Sequence, residues 1–145
     1  MRLIYNVLIY LAAPLALLMQ LWRGLRDPSY RERLGERFGL GPVLPGGTIW
    51  IHAVSVGEVQ AAEPLIKQLL ARHPRHPLLL TTVTPTGAAR ARQLFGDTVR
   101  LRYVPFDLPG SVWRFFDRVR PRLAMILETE LWPNLYAECG RRDVP

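Results

Sequence analysis

The stretch TIWIHAVSVGEVQAAEPLIKQLLA, residues 48–71, decides the fold. Its first seven residues, 48–54, are mostly apolar or β-branched and predict a short buried strand. From Glu58 to Ala71 the apolar side chains recur at the spacing of one helix face: Val59, Ala62, Leu65, Ile66 and Leu69. A strand that leads directly into a helix is the unit from which α/β domains are built.

The same alternation continues to the end of the chain. Further strands are predicted at residues 78–83, 99–104 and 123–127, and further helices at 88–95, 110–119 and 133–141. Strands alternating with helices predict right-handed crossovers and a mostly parallel sheet over residues 48–145. The second and fourth strands are continuous apolar runs, which predicts cover on both faces. The third strand alternates Arg100 and Arg102 with apolar residues, which predicts an edge position.

The first segment is apolar and long. Residues 3–22, LIYNVLIYLAAPLALLMQLW, carry no charge, and a helix of that length crosses a hydrocarbon core of roughly 30 Å. A cleaved signal peptide would have a shorter apolar run and a small-residue cleavage site, and none follows Trp22. We therefore expect residues 1–22 to be an uncleaved transmembrane anchor. Only Arg2 precedes the span, so the positive-inside rule places the rest of the chain in the cytoplasm.

The chain is basic, with 19 Lys and Arg residues, all but one of them Arg, against 12 acidic residues. Residues 23–47 are expected to form a solvated basic juxtamembrane helix and a turn-rich linker, with weak attraction to anionic headgroups. Nucleic acid is not an expected partner, because the arginines are scattered and no basic stripe with aromatic residues appears. Cys139 stands alone, so an internal disulfide is excluded, and no Cys/His spacing predicts a metal site.

Ligands of open α/β sheets bind beyond the carboxyl ends of the strands. That rule selects four loops, at residues 55–58, 84–87, 105–107 and 128–134. None contains a Gly-x-Gly-x-x-Gly or Walker-type sequence, which argues against a dinucleotide or triphosphate. Glu58 is the candidate general base, since a carboxylate can accept the proton of an attacking hydroxyl. The alternative is structural: Ser55-x-x-Glu58 matches a capping box, in which Glu58 only satisfies a backbone N–H.

The other loops carry weaker candidates. Glu130 is either a functional carboxylate or an acidic residue favoured at a helix start, and Trp132 is interpreted as a packing residue. Thr86 and Gly87 belong to a turn before a helix, which suits either an anion site or an ordinary turn with a Thr84 cap. Two further residues are interpreted as structural. Asp107 is expected to form the turn and cap before the helix at residues 110–119, and His52 is expected to be buried and hydrogen-bonded.

At these loops the sequence resembles the 3-deoxy-D-manno-octulosonic acid (Kdo) transferases of Gram-negative lipopolysaccharide synthesis. The matching stretches are IWIHAVSVGEVQAAEPLIKQL (49–69), LLLTTVTPTGAARA (78–91), YVPFDLPGSVWRFFDRVRP (103–121) and ILETELWPNL (126–135). The apolar start that leads into YRERLGERFG (30–39) is also similar to the beginning of that family. The resemblance therefore covers nearly the whole chain, and the combination is more specific than any single motif.

The resemblance implies the N-terminal half of a GT-B glycosyltransferase: a Rossmann-like, acceptor-binding domain whose partner domain binds CMP-Kdo. It implies inverting transfer of Kdo to the lipid A precursor (lipid IVA) at the cytoplasmic face of the inner membrane, with no metal or cofactor. Glu58 is implied as the general base and Glu130 as an essential cleft carboxylate. Ser55, Gly57, Thr86 and Gly87 are expected to bind substrate.

Because the donor domain is absent from these residues, the chain alone is expected to be inactive. The competing hypothesis is a non-catalytic membrane-tethered α/β binding or scaffold module. A flavodoxin-like or phosphoacceptor regulator would need a phosphate loop or an acidic cluster after the first strand, and only Glu58 is found there.

Overall fold

The computed structural model describes residues 2–128 and 131–145. A long helix, α1 (Arg2–Arg26), is followed by a 3₁₀ turn (Pro28–Tyr30) and a short helix, α2 (Leu34–Arg37). Strands and helices then alternate in the order β1 (Thr48–His52), α3 (Val56–Arg72), β2 (Leu78–Thr82), α4 (Pro85–Phe95), β3 (Arg100–Tyr103), α5 (Pro109–Val119), β4 (Pro121–Ile126) and α6 (Pro133–Arg141). The predicted α/β alternation is confirmed, with boundaries that differ by only a few residues.

The described strands form one parallel sheet in the order β3-β2-β1-β4. Ile51 of β1 lies beside Leu80 of β2 on one side and Met125 of β4 on the other. Helices α3 and α4 cover one face of the sheet, where Ile49 and Ile51 are buried. Helices α5 and α6 cover the other face around Trp50, which is fully buried. The chain is thus a three-layer sandwich with an apolar core on each side of the sheet.

The two strands expected to be covered on both faces, β2 and β4, differ in burial. β2 is buried along its whole length, as predicted. Residues 122–126 of β4, by contrast, are exposed or only half-buried, so the expectation of full cover is wrong for this strand. The physical reason is its position: among the described residues β4 has no strand on its outer side. An apolar sequence indicates burial, but it does not show how many strands lie beyond it.

β3 lies at the other edge of the sheet, as its alternating arginines predicted. Its outward backbone groups are occupied by side chains of the segment before the sheet. Arg33 Nη1 donates to the Leu101 carbonyl at 3.0 Å, and Glu36 Oε2 accepts from the Tyr103 N–H at 2.8 Å. Side chains here take the place of a further strand, which protects the edge from pairing with another chain.

The segment expected to be a solvated basic helix and linker is packed against the sheet instead. Arg37 is only 3% exposed, donates to the Val83 carbonyl at 2.6 Å, and stacks on the Tyr103 ring at 4.3 Å. Leu44 in the turn-rich part is also buried, and its N–H donates to the Arg118 carbonyl at 2.7 Å. The expectation failed because groups distant in the sequence, such as the Val83 carbonyl and the Tyr103 ring, pair with an arginine that the sequence alone suggests is solvated.

Candidate functional site

The candidate site lies where the strand order of the sheet reverses. From β1 the chain moves outward through β2 to β3, and then returns to place β4 on the opposite side of β1. The helices that follow β1 and β4 therefore pack on opposite faces, α3 against the Ile51 face and α6 against the Trp50 face. Open α/β sheets bind ligands beyond the carboxyl ends of the strands at such a reversal. We call this region the crevice and define it by residues 53–58, after β1, and by the beginning of α6.

Glu58 lies in the first turn of α3, at this crevice, and is half-buried. Its Oε2 accepts from the Val54 N–H at 2.6 Å, and its Oε1 accepts from the Ser55 hydroxyl at 3.0 Å. Ser55 Oγ in turn faces the Glu58 N–H at 3.4 Å. The capping alternative is thus realised, in a form that uses the N–H of Val54. The Val54 N–H and the Ser55 hydroxyl together hold the carboxylate in one orientation.

A capped carboxylate still has the capacity to act as a base. An ionised carboxylate has about four lone-pair positions, and the described contacts of Glu58 use two of them. The amino end of a helix also favours negative charge at this position. Gly57, its neighbour, is exposed, and a methyl group added there would meet nothing closer than Ser55 Oγ at 3.9 Å. The surface beside Glu58 is therefore open to a ligand.

The second loop packs against the first. Thr84 Oγ1 accepts from the Gly87 N–H at 3.1 Å, so the predicted Thr cap of α4 is confirmed. A Cβ at Gly87 would lie 3.0 Å from Thr84 Oγ1 and 3.5 Å from the Val54 carbonyl oxygen. The absence of a side chain at Gly87 therefore allows α4 to approach the loop that holds Glu58. Thr86 is exposed on the same turn.

Asp107 plays a different role from the one predicted. The residue that begins α5 is Leu108, which makes no side-chain cap, so Asp107 does not cap that helix. Its buried carboxylate instead accepts from the N–H groups of Asn134 and Leu135, at 3.0 and 2.9 Å, and from the Tyr5 hydroxyl at 2.8 Å. Burial raises the pKa of Asp107, while these hydrogen bonds oppose the increase. Asp107 thereby fixes the first turn of α6, the opposite wall of the crevice.

His52 lies at the end of β1, under the crevice. It is fully buried, and its Nδ1 lies 2.9 Å from Thr81 Oγ1 and 3.2 Å from the Thr81 carbonyl oxygen, so the predicted buried and hydrogen-bonded histidine is confirmed. Its ring meets that of Trp132 edge to face at 6.3 Å, and Trp132 packs on the α5/α6 core as predicted. Burial lowers the pKa of His52 to about 4, which leaves the ring neutral at pH 7.

This burial predicts acid sensitivity. Because the pKa of His52 is lower in the folded protein than in the unfolded chain, the unfolded state binds more protons as the pH falls below the unfolded value. We expect the free energy of unfolding to fall by about 2 kcal/mol between roughly pH 6.5 and pH 4.5 from this group. Urea unfolding at a series of pH values measures the slope. His52→Asn should flatten it and exposed His73→Asn should not; an unchanged slope in His52→Asn would contradict the assignment.

The fourth loop begins with a turn at Glu128, which is exposed and has a left-handed φ of 60°. The chain therefore leaves the strand direction two residues after the end of β4. Glu130 and its neighbour Thr129 lie outside the described residues. Among residues 2–128 and 131–145, no group of three or more His, Cys, Asp or Glu side chains is placed to hold a metal ion.

Comparison with known proteins adds the family. The model of the 3-deoxy-D-manno-octulosonic-acid transferase (kdotransferase) family matches residues 32–145. The 3-deoxy-D-manno-octulosonic acid transferase of Haemophilus influenzae is 43% identical over 99% of this chain and 34% of its own length. The Bordetella pertussis transferase is 36% identical over 98% of this chain and 35% of its own. A probable mitochondrial 3-deoxy-D-manno-octulosonic acid transferase of Arabidopsis thaliana is 36% identical over 98% of this chain and 32% of its own length.

The parallel α/β sheet, together with the family match over residues 32–145, identifies a glycosyltransferase N-terminal domain. The chain belongs to the Kdo transferase family. It spans about a third of the length of the curated relatives described above.

Proposed function

We propose that the protein containing this chain transfers Kdo from CMP-Kdo to the lipid A precursor, lipid IVA, with inversion and without a metal ion. One observation carries the proposal: in a chain of the Kdo transferase family, the Val54 N–H holds the Glu58 carboxylate at the point where the strand order reverses. This chain supplies the acceptor side of a GT-B cleft. CMP-Kdo is bound mainly by a second Rossmann-like domain beyond these residues.

The proposed reaction is a single displacement. The acceptor hydroxyl attacks the anomeric carbon of Kdo from the face opposite CMP, forming one C–O bond while the bond to the phosphate oxygen breaks. CMP leaves with the electron pair, and Glu58 accepts the hydroxyl proton. Exposed Gly57 and Thr86, with half-buried Ser55, form the surface against which the acceptor lies, and buried Gly87 allows the two loops to pack together. Glu130 is proposed as the second essential carboxylate of the cleft.

The apolar N-terminal helix gives the site its location. Among the described residues, α1 is one helix with the length and hydropathy needed to cross a membrane. We propose that it attaches the protein to the inner membrane with the α/β body on the cytoplasmic face. Attachment keeps the crevice close to an acceptor that is itself a membrane lipid.

The test is a transfer assay on the full-length protein with radiolabelled CMP-Kdo and lipid IVA. We expect labelled lipid to form, at the same rate with and without a metal chelator. Residues 1–145 alone should give no turnover, because the donor domain is missing. Binding of lipid IVA by the full-length protein without any transfer would support the scaffold alternative, and inhibition by the chelator would contradict metal independence.

A further inference from the structure

One face of α1 is partly shielded from solvent, and side chains near both ends of that face contact the rest of the protein. Within residues 2–26 the side chains that are not exposed recur every three or four positions, which is the spacing of a single helical stripe. These residues are Tyr5, Asn6, Ile9, Ala13, Ala16, Leu17, Gln20 and Gly24. The two amide side chains of this apolar segment, Asn6 and Gln20, both belong to the stripe.

Polar contacts hold the stripe at both of its ends. Near the amino end, the Tyr5 hydroxyl donates to Asp107 Oδ2 and Asn6 Oδ1 accepts from Asn134 Nδ2, each at 2.8 Å. Near the carboxyl end, the Gln20 amide lies 3.2 Å from both the Tyr30 carbonyl oxygen and Arg37 Nε.

These contacts are incompatible with a helix that crosses the bilayer. A spanning helix of about 20 residues separates its ends by roughly 30 Å of hydrocarbon, with the folded body on one side only. Here both ends touch the same body. If α1 stood upright, Tyr5 and Asn6 would be removed from Asp107 and Asn134, which are 1% and 4% exposed. A buried carboxylate and a buried amide would each lose a partner, which is costly.

We propose that α1 lies flat in the cytoplasmic leaflet, with its contact stripe on the α/β body and its opposite face in the lipid. That opposite face is apolar and 37–77% exposed, through Leu3, Ile4, Val7, Leu8, Leu11, Leu15, Leu18, Met19, Leu21, Trp22 and Leu25. An apolar face of this kind, flanked by cations, is typical of helices that lie in the membrane interface.

The charges identify the lipid that covers this face. Exposed Arg2 begins the helix and exposed Arg23 and Arg26 end it, and no acidic residue lies between them. Arg26 also stacks on the Trp22 ring at 5.0 Å, which places a cation beside an aromatic side chain suited to the headgroup region. The occupant is therefore an anionic leaflet surface. The inference rests on the proposed membrane attachment, and it brings the crevice wall at Asp107 and Asn134 next to the lipid.

Labelling of a single cysteine distinguishes the two orientations. In the protein expressed from its own gene, with Cys139→Ser and any other cysteine replaced, Arg2→Cys is treated with an impermeant maleimide. We expect labelling in inside-out membrane vesicles and none from the periplasmic side of intact cells. Exposed Arg72→Cys in α3 is the matched control for the cytoplasmic side. Labelling of Arg2→Cys only from the periplasmic side would overturn the proposal.

A cross-link tests the packing itself. Asn6→Cys paired with Asn134→Cys should be joined in native membranes by a short bifunctional thiol reagent, because these side chains touch. Leu8→Cys, on the exposed face, should not be joined to Asn134→Cys. Failure of the first pair to cross-link, or equal cross-linking of both pairs, would contradict the flat arrangement.

Flotation with vesicles of mixed anionic and neutral lipids separates this inference from the proposed function. Flotation that fails refutes membrane attachment itself, and with it the flat helix. Flotation that succeeds while Arg2→Cys reacts only from the periplasm refutes the flat helix alone. Removal of the anionic lipid should weaken flotation; an unchanged result, or self-association of the chain in place of vesicle binding, would overturn the assignment of an anionic leaflet. The transfer assay tests the proposed function separately, whatever the orientation of α1.

Discussion

Glu58→Gln is expected to lower the rate of the proposed Kdo transfer by the full-length protein about a thousandfold, since general base catalysis contributes on that scale. The amide of Gln cannot accept the proton of the acceptor hydroxyl at neutral pH. It does retain an oxygen that can accept from the Val54 N–H, so the cap and the fold are preserved. Turnover of radiolabelled CMP-Kdo at saturating acceptor measures the loss, and the thermal unfolding midpoint measures the fold.

Ser55→Ala is the matched control for this experiment. It removes the hydroxyl that contacts Glu58 Oε1 and the Glu58 N–H, and should cost about 1 kcal/mol of stability, as loss of a helix cap does. Ser55 also belongs to the proposed acceptor surface, so its loss can weaken acceptor binding; because the Glu58 carboxylate remains, most of the turnover at saturating acceptor should remain. If Glu58→Gln retained the activity of Ser55→Ala, Glu58 would be a cap only and the base would have to be sought elsewhere.

Asp107→Ala should produce the largest loss of stability that we predict, about 4 kcal/mol, because buried donors left without an acceptor are each costly. The donors concerned are the N–H groups of Asn134 and Leu135 and the hydroxyl of Tyr5. Urea unfolding in detergent measures the change.

Two further variants make the Asp107 experiment specific. Asp107→Asn keeps one acceptor oxygen and should lie between the parent protein and Asp107→Ala. Exposed Asp117→Ala should stay within about 0.5 kcal/mol of the parent, as surface substitutions usually do. An Asp107→Ala protein as stable as Asp117→Ala would show that the α6 turn and the α1 contact do not depend on this carboxylate.

The features that the sequence predicted well are those encoded within a few neighbouring residues. The Ser55/Glu58 cap and the Thr84 cap depend on partners three residues apart. The edge position of β3 was readable from Arg100 and Arg102, since alternation is a local pattern.

The features that were missed depend on residues far apart in the chain. Asp107 was assigned to the helix that follows it, although its backbone partners are 27 and 28 residues away in α6. Glu36 contacts Tyr103, 67 residues away, and nothing in the charge pattern of residues 23–37 indicates that contact. An aspartate before a helix and an acidic residue among arginines each have an ordinary local explanation. Only the folded chain shows that a distant backbone N–H is the actual partner.

The same distant contact makes growth of the sheet one-directional. With Leu101 and Tyr103 already engaged by Arg33 and Glu36, another strand cannot join beyond β3. At β4, by contrast, the Ala124 N–H donates to the Pro145 carbonyl at 2.9 Å, so the main chain after α6 already pairs with this edge as a further strand would. Any further strand must therefore be added beside β4. The junction of β1 and β4, where Glu58 lies, would then be near the middle of the sheet and no longer near its edge.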